Sequence, residues 1–336
     1  MAKYRAVQIT APQKLTPTEL ELREPGPGEV RIKVEACGIC HSDAFMIYAG
    51  LPGLKLPRVP GHELAGRIDA VGTGVNRLKA GDRVGVGWYG GHCNECDSCR
   101  RGLFLNCARG LVTGGHFDGG YAEYAIVPAM AAARIPDGLE AKHAGPLMCA
   151  GITTFNAIRN SGVRPGDTVA VQGIGGLGHL GIQFAARLGF RVVALSSGAD
   201  KEPLARELGA HEYIDTGKVN AGEGLAKLGG ADLVLATAPH AEAISSTVGG
   251  LTARGKVLMV AAPQEPLQVP AMALLSGRSV AGWPSGSSID SEDTMRFAAR
   301  TGVRPVIEMF PLEKAEEAFG KMMGNKVRFR AVLAMG

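Results

Sequence analysis

The sequence predicts an α/β protein of two domains, one rich in β-strands and one built on a doubly wound parallel sheet. Its 336 residues suit two domains, since a domain usually has about 100–200 residues. Short alternating runs and Gly/Pro turns occupy the first 150 residues, whereas apolar strands alternate with helical segments after residue 167. Strand alternating with helix at this spacing is typical of βαβ units, which form parallel sheets.

The first domain is predicted from its strand and turn signals. Residues 30–36 alternate between apolar and polar side chains, which is the period of a half-buried strand. The runs 25–28 (Pro-Gly-Pro-Gly) and 79–82 (Lys-Ala-Gly-Asp) predict turns, and the second leads into a strand at 83–86. These signals predict a β-dominated domain.

The second domain is predicted from short apolar strands with helices between them. The strands are expected at 168–172, 191–195, 232–236 and 256–260, and the helices at 177–188, 202–208 and 241–251. Two helices at 291–300 and 313–323 and a strand at 329–333 then break the alternation. We therefore predict a first domain of residues 1–150 and 284–336 and a second domain of residues 151–283.

Composition and charge exclude several classes of protein. The chain has 46% hydrophobic and 20% charged residues, which argues against intrinsic disorder. Its net charge of +4 is small for its length and argues against a nucleic-acid-binding protein. Neither an apolar run of about 18 residues nor a secretory signal is present, so we expect no membrane span and a cytoplasmic location.

Clustered cysteines predict a metal site. Four of the seven cysteines stand within fifteen positions, namely Cys93, Cys96, Cys99 and Cys107. Thiolates are soft ligands, and four of them at about 2.3 Å complete the tetrahedral coordination of zinc. Because no position is then left for a substrate, we predict a structural zinc. An iron–sulfur cluster would use the same four thiols, and disulfides are a further alternative.

The remaining motifs resemble those of a known family. The segment Cys40-His41-Ser42-Asp43 is followed by the pattern G-H-E-x-x-G-x5-G-x-x-V, which runs from Gly61 to Val75. A segment from Cys149 to Thr153 and a glycine loop at 173–178 complete the set. The chain resembles the zinc-containing alcohol dehydrogenases of the medium-chain dehydrogenase/reductase superfamily over essentially its whole length. This resemblance implies a GroES-like catalytic domain and a Rossmann-type domain.

The resemblance implies a catalytic zinc held by Cys40, His62 and Cys149. Two thiolates and one imidazole form the Cys₂His ligand set known from alcohol dehydrogenases, which leaves one position open for a substrate oxygen. By the same resemblance, Asp43 orients the ligating imidazole, and Glu63 is the nearby carboxylate that exchanges ligands at the metal. The prediction is thus two zinc ions per chain, one catalytic and one structural.

The glycine loop predicts a dinucleotide site. It has the form G-x-G-x-x-G, follows a predicted strand and opens a predicted helix, which is the context this fingerprint requires. Its glycines permit the turn, the approach of a pyrophosphate and close helix packing, while the helix N-terminus supplies N–H groups. The predicted contacts are Gly173, Gly175, Gly176, Leu177 and Gly178.

The end of the next strand predicts which dinucleotide binds. An acidic residue there would accept hydrogen bonds from the ribose of NAD, but the chain has Ser196 and Ser197. Asp200 comes later and is expected to cap the helix that contains Pro203. Without a carboxylate, the serine hydroxyls and Lys201 favour a 2′-phosphate, so we predict NADP(H) over NAD(H).

The resemblance also implies a reaction. Hydride would pass reversibly between an alcohol and the nicotinamide, with zinc as the Lewis acid. Ser42 resembles the hydroxyl that takes the alcohol proton. Phe45 stands where many relatives have the histidine that carries this proton onward, so the exit of the proton differs from theirs.

Further roles follow from the same resemblance. His41 and Arg330 are assigned to the pyrophosphate, and Thr153 to the nicotinamide ring. Phe45, Leu51 and Trp88 are assigned to an apolar substrate pocket. Aromatic side chains at two of these positions favour medium-chain or aromatic primary alcohols and the corresponding aldehydes.

Three alternatives remain at this point. A reductase of a C=C bond conjugated to a carbonyl would commonly lack the Cys40, His62 and Cys149 ligands. A sugar-alcohol dehydrogenase would usually have glutamate in place of Cys149. A non-catalytic NADP(H)-binding protein, with zinc serving only the fold, would not require Ser42, Asp43 or Glu63. For the enzyme, we expect a small-molecule substrate and a homo-oligomer, either a dimer or a tetramer.

Overall fold

The computed structural model describes residues 2–336, and the chain divides into two compact units. The first unit runs to Cys149 and also includes Gly286–Arg300 and Pro305–Gly336. The second consists of Ala150–Ser285 and Thr301–Arg304. The joints predicted from the sequence lie at 150/151 and 283/284.

Strands and helices are numbered in chain order. The strands are β1 (Lys3–Ala11), β2 (Lys14–Glu21), β3 (Glu29–Gly38), β4 (Leu64–Val71), β5 (Arg83–Val86), β6 (Tyr89–Gly91), β7 (Leu111–Val112), β8 (Tyr124–Pro128), β9 (Ala132–Arg134), β10 (Thr168–Gln172), β11 (Arg191–Ser196), β12 (Glu212–Asp215), β13 (Ala231–Ala236), β14 (Leu251–Met259), β15 (Ser279–Gly282), β16 (Ile307–Pro311) and β17 (Arg330–Ala334). The helices are α1 (Asp43–Ile47), α2 (Asp97–Arg100), α3 (Ala141–Pro146), α4 (Ile152–Arg159), α5 (Gly178–Arg187), α6 (Glu202–Glu207), α7 (Ala221–Lys227), α8 (Ala241–Thr247), α9 (Ala271–Leu275), α10 (Ser288–Thr301) and α11 (Ala315–Met323).

The first unit is built on a mixed sheet in the order β16-β17-β3-β4-β5-β9, with β8 also paired to β3. Strand β3 is antiparallel to β4, β8 and β17 and therefore holds the sheet together. Its alternating sequence puts Ile32 into a core that also buries Leu64 and Val84. The end of β3, the start of β4 and the start of β17 lie close to one another, since Cys37 pairs with both Leu64 and Leu333. The functional residues described below stand at these positions.

The second unit is built on a six-stranded sheet in the order β12-β11-β10-β13-β14-β15, and every adjacent pair is parallel. In the unit's own strand count this order is 3-2-1-4-5-6, the Rossmann arrangement. The inner strands are continuous apolar runs because helices cover both faces of such a sheet. Residues 169–171 on β10 illustrate this, since all three are fully buried.

Most predicted elements agree with the structure to within a few residues. The exception is the region after 240, where α8 ends at Thr247 and β14 already begins at Leu251. Leu251 is drawn into the strand because it pairs with Ala231 on β13. Among the residues that the structure describes, no helix combines the length and the apolar character needed to cross a membrane.

Candidate functional site

Three distant segments of the first unit bring metal-binding side chains together. Cys40 follows β3, His62 lies two residues before β4 begins, and Cys149 lies in a π-helical turn, Leu147–Gly151, after α3. One potential ligand atom from each, together with a carboxylate oxygen of Glu63, lies within 4.8 Å of all the others. The structure thus brings together the three ligands predicted from the resemblance, and places Glu63 among them.

The donor atoms fit a tetrahedral metal ion. The two sulfur atoms of Cys40 and Cys149 are 3.7 Å apart, far longer than the ~2.05 Å of a disulfide. Two thiolates at about 2.3 Å from one tetrahedral zinc would be about 3.8 Å apart. Both ring nitrogens of His62 are buried and lack a hydrogen-bond partner of normal geometry among the described residues, so Nε2 is available to an ion. The hydrogen bond from Cys149 is the main factor that lowers the pKa of Cys40, which favours the thiolate.

A buried carboxylate connects two of these ligands. Oδ1 of Asp43 lies 2.8 Å from Nδ1 of His62, and Oδ2 accepts a 2.9 Å hydrogen bond from the backbone N–H of Cys40. The hydroxyl of Tyr121 donates to the same Oδ2 atom at 2.9 Å. Because Nδ1 faces Asp43, the other ring nitrogen of His62 is left for the metal. The contact from Tyr121 was not predicted, since no local spacing relates residue 121 to residue 43.

A second buried carboxylate is held by an arginine. Glu63 and Arg330 are both buried and form an ion pair. Burial raises the pKa of Glu63 to about 7, although the positive charge of Arg330 opposes that rise. Gly38 makes room for this carboxylate, since a Cβ atom there would overlap Oε2 of Glu63. Arg330 was predicted as a pyrophosphate contact; the structure adds an ion pair across 267 positions that the sequence did not indicate.

Helix α1 and the turn after it carry the predicted proton and substrate residues. Ser42 precedes α1 without using its side chain as a cap, so its hydroxyl is not committed to the helix. Phe45 is 58% exposed. Its ring makes an edge-to-face contact with the ring of Trp88, with 6.4 Å between the ring centroids. The Trp88 ring in turn lies edge-to-face against the His62 ring, with 5.0 Å between the ring centroids. The backbone of Leu51 hydrogen-bonds to that of Phe45, so the three predicted pocket residues are neighbours.

The four-cysteine segment forms a compact cluster around α2. Sulfur–sulfur distances are 3.9 Å for Cys93–Cys99, 3.9 Å for Cys96–Cys107 and 3.5 Å for Cys93–Cys107. These values again match the edge of a tetrahedron around zinc and exclude disulfides in this structure. Backbone hydrogen bonds from Glu95 and Cys96 lower the pKa of Cys93 to about 5. The cluster therefore fits a metal ion bound by four thiolates.

The glycine loop of the second unit lies where the strand order of the parallel sheet reverses, between β10 and β13. Gly173 has a φ of +89°, and a Cβ atom at Gly178 would overlap the carbonyl oxygen of Gly173. A Cβ atom at Gly175 would meet nothing within 4 Å, so the surface there is open. Helix α5 begins at Gly178, and the partial positive charge of a helix N-terminus favours a phosphate there. The loop fits the phosphates of a dinucleotide.

The loop after β11 holds the residues predicted for the 2′-phosphate. Nζ of Lys201 lies 3.4 Å from Oγ of Ser196, and Ser197 is exposed. The predicted cap at Asp200 is wrong, because α6 is preceded by a 3₁₀ turn, Ala199–Lys201, and Lys201 is the cap residue. Asp215, at the end of β12, accepts hydrogen bonds from the N–H groups of Gly198 at 2.9 Å and Gly217 at 3.0 Å. These bonds lower the pKa of Asp215 and tie its carboxylate to the loop backbone.

Thr153 and His41 were also predicted to contact the cofactor. Thr153 lies on α4, and its hydroxyl donates to Oγ of Ser285 at 2.8 Å. Ser285 has a φ of +75° and also accepts, through its carbonyl oxygen, from Asn156 at 2.7 Å and from Trp283 at 2.8 Å. His41, in the first unit, is exposed.

Comparisons with known proteins agree with this geometry. The family model "Alcohol dehydrogenase GroES-like domain" matches residues 26–137, and "Zinc-binding dehydrogenase" matches residues 176–300. The alcohol dehydrogenase notN of Aspergillus sp. (strain MF297-2) is 48% identical over 331 residues, 98% of this chain and 97% of the relative. The NADP-dependent alcohol dehydrogenase C of Mycobacterium bovis is 36% identical over 342 residues, 99% of this chain and 98% of the relative.

Solved structures give the same result. A cinnamyl alcohol dehydrogenase from Sorghum bicolor superimposes with a TM-score of 0.87 at 31% identity, covering 99% of this chain and 98% of that one. The two family models together span more than half of the chain, and relatives above 30% identity match nearly all of it. The chain therefore belongs to the zinc-containing alcohol dehydrogenases of the medium-chain dehydrogenase/reductase superfamily and is an NAD(P)-dependent alcohol oxidoreductase.

Proposed function

We propose that this alcohol dehydrogenase exchanges hydride between NADP(H) and a primary alcohol, medium-chain or aromatic, and that it also reduces the aldehyde. The observation that carries the proposal is the set of Cys40, His62 and Cys149, two of them buried and one half-buried, whose ligand atoms converge from three separate segments. Three protein ligands leave one position of a tetrahedral ion for the substrate, which is the pattern of a catalytic site.

The residues of the first unit would each have a defined part. Zinc, when bound by Cys40, His62 and Cys149, supplies Lewis acidity that lowers the pKa of an alcohol and polarises a carbonyl. Asp43 fixes the imidazole plane of His62 through the 2.8 Å contact at Nδ1. Glu63 places a carboxylate beside the ligands, and its ion pair with Arg330 balances the negative charge.

Ser42 is the proposed acceptor of the alcohol proton. Its hydroxyl stands two residues from Cys40 and is not used to cap α1. A serine cannot retain a second proton at neutral pH, so it must pass the proton on. Phe45 cannot carry it, and we propose water or a ribose hydroxyl of the cofactor as the next acceptor.

The substrate class is proposed from the row formed by Phe45, Trp88 and His62. Trp88 contacts the metal ligand, and Phe45, 58% exposed, extends the aromatic surface away from it. Edge-to-face contacts of this type favour an aromatic or flexible apolar group over a branched secondary alcohol. Phe45 would therefore contact the part of the substrate beyond the reacting carbon.

The cofactor preference is proposed from the loop after β11. Ser196 and Lys201 lie 3.4 Å apart, and together with Ser197 they supply hydroxyl donors and a positive charge for a 2′-phosphate. The carboxylate of Asp215 is committed to backbone N–H groups, which leaves it poorly placed to hold ribose hydroxyls. Similarity to an NADP-dependent alcohol dehydrogenase supports this preference.

The second zinc is proposed for the four-cysteine cluster, where it would stabilise the fold. Four thiolates fill the tetrahedron and leave no position for a substrate. We therefore propose two zinc ions per chain, one at each cluster.

The homo-oligomer is proposed from the free edge of the parallel sheet. Strand β15 ends the sheet, and the helix before it exposes 74% of Met272 and 79% of Leu275. Large exposed apolar side chains beside a strand edge are typical of an association surface. Light scattering would show a dimer or tetramer, whereas a monomer at micromolar concentration would contradict the proposal. The predicted cytoplasmic location stays a prediction.

The function is tested by following NADPH absorbance with a panel of aldehydes before and after chelation. We expect turnover of benzaldehyde and hexanal that is lost after chelation and restored by added Zn²⁺, and a higher kcat/KM with NADPH than with NADH. Reduction of only the C=C bond of a conjugated enone, unaffected by chelation, would favour the alternative reductase. Cofactor binding without turnover of any alcohol or aldehyde would favour a non-catalytic protein.

A further inference from the structure

Tyr121 is a fully buried tyrosine, and its hydroxyl points at the metal-binding cluster. The hydroxyl donates a 2.9 Å hydrogen bond to Oδ2 of Asp43. Burial and the nearby Asp43 carboxylate both raise the pKa of Tyr121, so it keeps its proton and acts as a donor. A phenylalanine would fill the same volume, so packing alone does not require the hydroxyl.

The backbone at Tyr121 also holds the segment that leads to His62. The N–H groups of Gly119, Gly120 and Tyr121 donate to the carbonyl oxygens of residues 59, 61 and 60, at 2.8, 2.9 and 3.0 Å respectively. Gly61 has a φ of +101°, and a Cβ atom there would overlap the Tyr121 ring. The glycine directly before His62 thus lets the tyrosine ring pack over the backbone.

The Asp43 carboxylate therefore has three polar neighbours, one at Oδ1 and two at Oδ2. His62 lies at Oδ1, while the backbone N–H of Cys40 and the hydroxyl of Tyr121 both lie at Oδ2. Two donors on one oxygen fix the rotation of the carboxylate, and this in turn fixes the oxygen that meets the imidazole. Without the hydroxyl, Oδ2 would keep only the donor from Cys40, and the carboxylate would be held less firmly.

We propose that Tyr121 is a positioning residue for the metal centre: its hydroxyl holds Asp43, and through Asp43 the His62 ring, in the orientation that binds zinc. This inference rests on the proposed zinc at Cys40, His62 and Cys149. Outer partners of metal ligands typically contribute about 10–100-fold to metal affinity. Tyr121 acts one step further out, so we expect an effect near the lower end of that range.

The test is the Tyr121→Phe variant, examined for zinc release rather than activity. We expect competition with a chelator to show about tenfold weaker zinc binding at this centre, and the absorption bands of the cobalt-loaded protein to shift. A Cys149→Ala protein gives the baseline for metal held by the four-cysteine cluster alone. Tyr124→Phe is the matched control, because Tyr124 is half-buried and contacts Tyr4 rather than Asp43.

A double variant shows whether Tyr121 acts through Asp43. In an Asp43→Asn background, Tyr121→Phe is expected to weaken zinc binding by less than about twofold, since the two residues act as one unit. A full additional tenfold loss in that background would contradict the proposal, as would zinc affinity and cobalt bands unchanged in the single variant. If the wild-type protein holds no zinc beyond that of the Cys149→Ala baseline, the zinc site itself is wrong rather than the role of Tyr121.

Discussion

The two cysteine clusters of this chain offer similar ligands in different surroundings, and we propose different roles for them. The cluster of Cys93, Cys96, Cys99 and Cys107 is assembled from fifteen consecutive positions and lies partly at the surface. The cluster of Cys40, His62 and Cys149 is assembled from segments up to 109 positions apart and contains a fully buried imidazole. The first can form from one loop, whereas the second requires the whole sheet of the first unit.

The two clusters also differ in the groups that surround them: backbone N–H groups at one, and charged side chains at the other. Backbone N–H groups donate to the sulfur atoms of the four-cysteine cluster, which is sufficient to hold thiolates. The buried cluster is surrounded by Asp43, Glu63, Arg330 and Tyr121. Buried charges are costly unless they are paired, and we propose that these charges serve the chemistry of the site. The comparison teaches that donor number and charged neighbours, rather than cysteine itself, separate a structural from a catalytic ion.

The largest effect is expected from Cys149→Ala. Removing one of three protein ligands should empty the buried cluster, lower kcat/KM at least about a thousandfold and reduce zinc by about one ion per chain. Cys37→Ala is the matched control, since Cys37 is buried in the same unit but is not among the four converging residues. Zinc content and steady-state kinetics measure both. Unchanged turnover in Cys149→Ala would mean that the two clusters do not differ as described.

A smaller loss is expected from Ser42→Ala. It removes the proposed proton acceptor but no ligand, so kcat should fall at least about tenfold while both zinc ions stay bound. Ser98→Ala provides the comparison, because Ser98 is the serine inside the four-cysteine cluster and should leave kcat unchanged. Equal kcat values for the two variants would remove the hydroxyl of Ser42 from the mechanism.

Lys201→Ala should sharpen the comparison by leaving both clusters filled. Loss of its positive charge beside Ser196 is expected to lower kcat/KM with NADPH about five- to tenfold and to leave the value with NADH nearly unchanged. Lys218→Ala serves as control, since that lysine lies 3.8 Å from Asp215 and not beside the serine. A parallel loss with both cofactors would contradict the 2′-phosphate assignment.

The smallest effect on activity is expected from Cys107→Ala. The variant should lose about one zinc per chain and unfold at least about 5 °C lower, because a structural zinc contributes directly to folding. At 25 °C, kcat per folded molecule should stay within about twofold of wild type. Calorimetry and zinc content provide the measurements. A loss of kcat as large as that of Cys149→Ala, in protein that is still folded, would erase the distinction between the clusters.

Whether a feature could be predicted from the sequence depends on how far apart along the chain the interacting residues lie. Strand β10 and the glycine loop are local patterns, and both were predicted within a few residues. Cys40, His62 and Cys149, the proposed ligands of the catalytic zinc, are far apart, and they were predicted only because the motif around His62 resembles a family. Tyr121 and the pairing of Glu63 with Arg330 could not be predicted, since their partners are 78 and 267 positions away. The one signal was indirect: Gly61 before His62 and Gly119-Gly120 before Tyr121 both mark close backbone approaches.

Local patterns also failed in one place. Asp200 before Pro203 has the sequence of a helix start, yet the chain first forms a 3₁₀ turn and α6 begins at Glu202. The hydroxyl of Tyr213 donates to the carbonyl oxygen of Gly198 at 2.5 Å, and Asp215 accepts from the N–H of the same glycine. These contacts from β12 shape the loop, and they overrode the local capping preference.

Anomalous diffraction at the zinc absorption edge, from crystals grown without chelator, tests the difference between the clusters most directly. Two peaks per chain are expected, one among the four sulfur atoms of Cys93, Cys96, Cys99 and Cys107. The other should lie about 2.3 Å from both Sγ atoms of Cys40 and Cys149 and about 2.0 Å from Nε2 of His62. A strong peak at the four-cysteine cluster with none between Cys40, His62 and Cys149 would contradict a catalytic zinc.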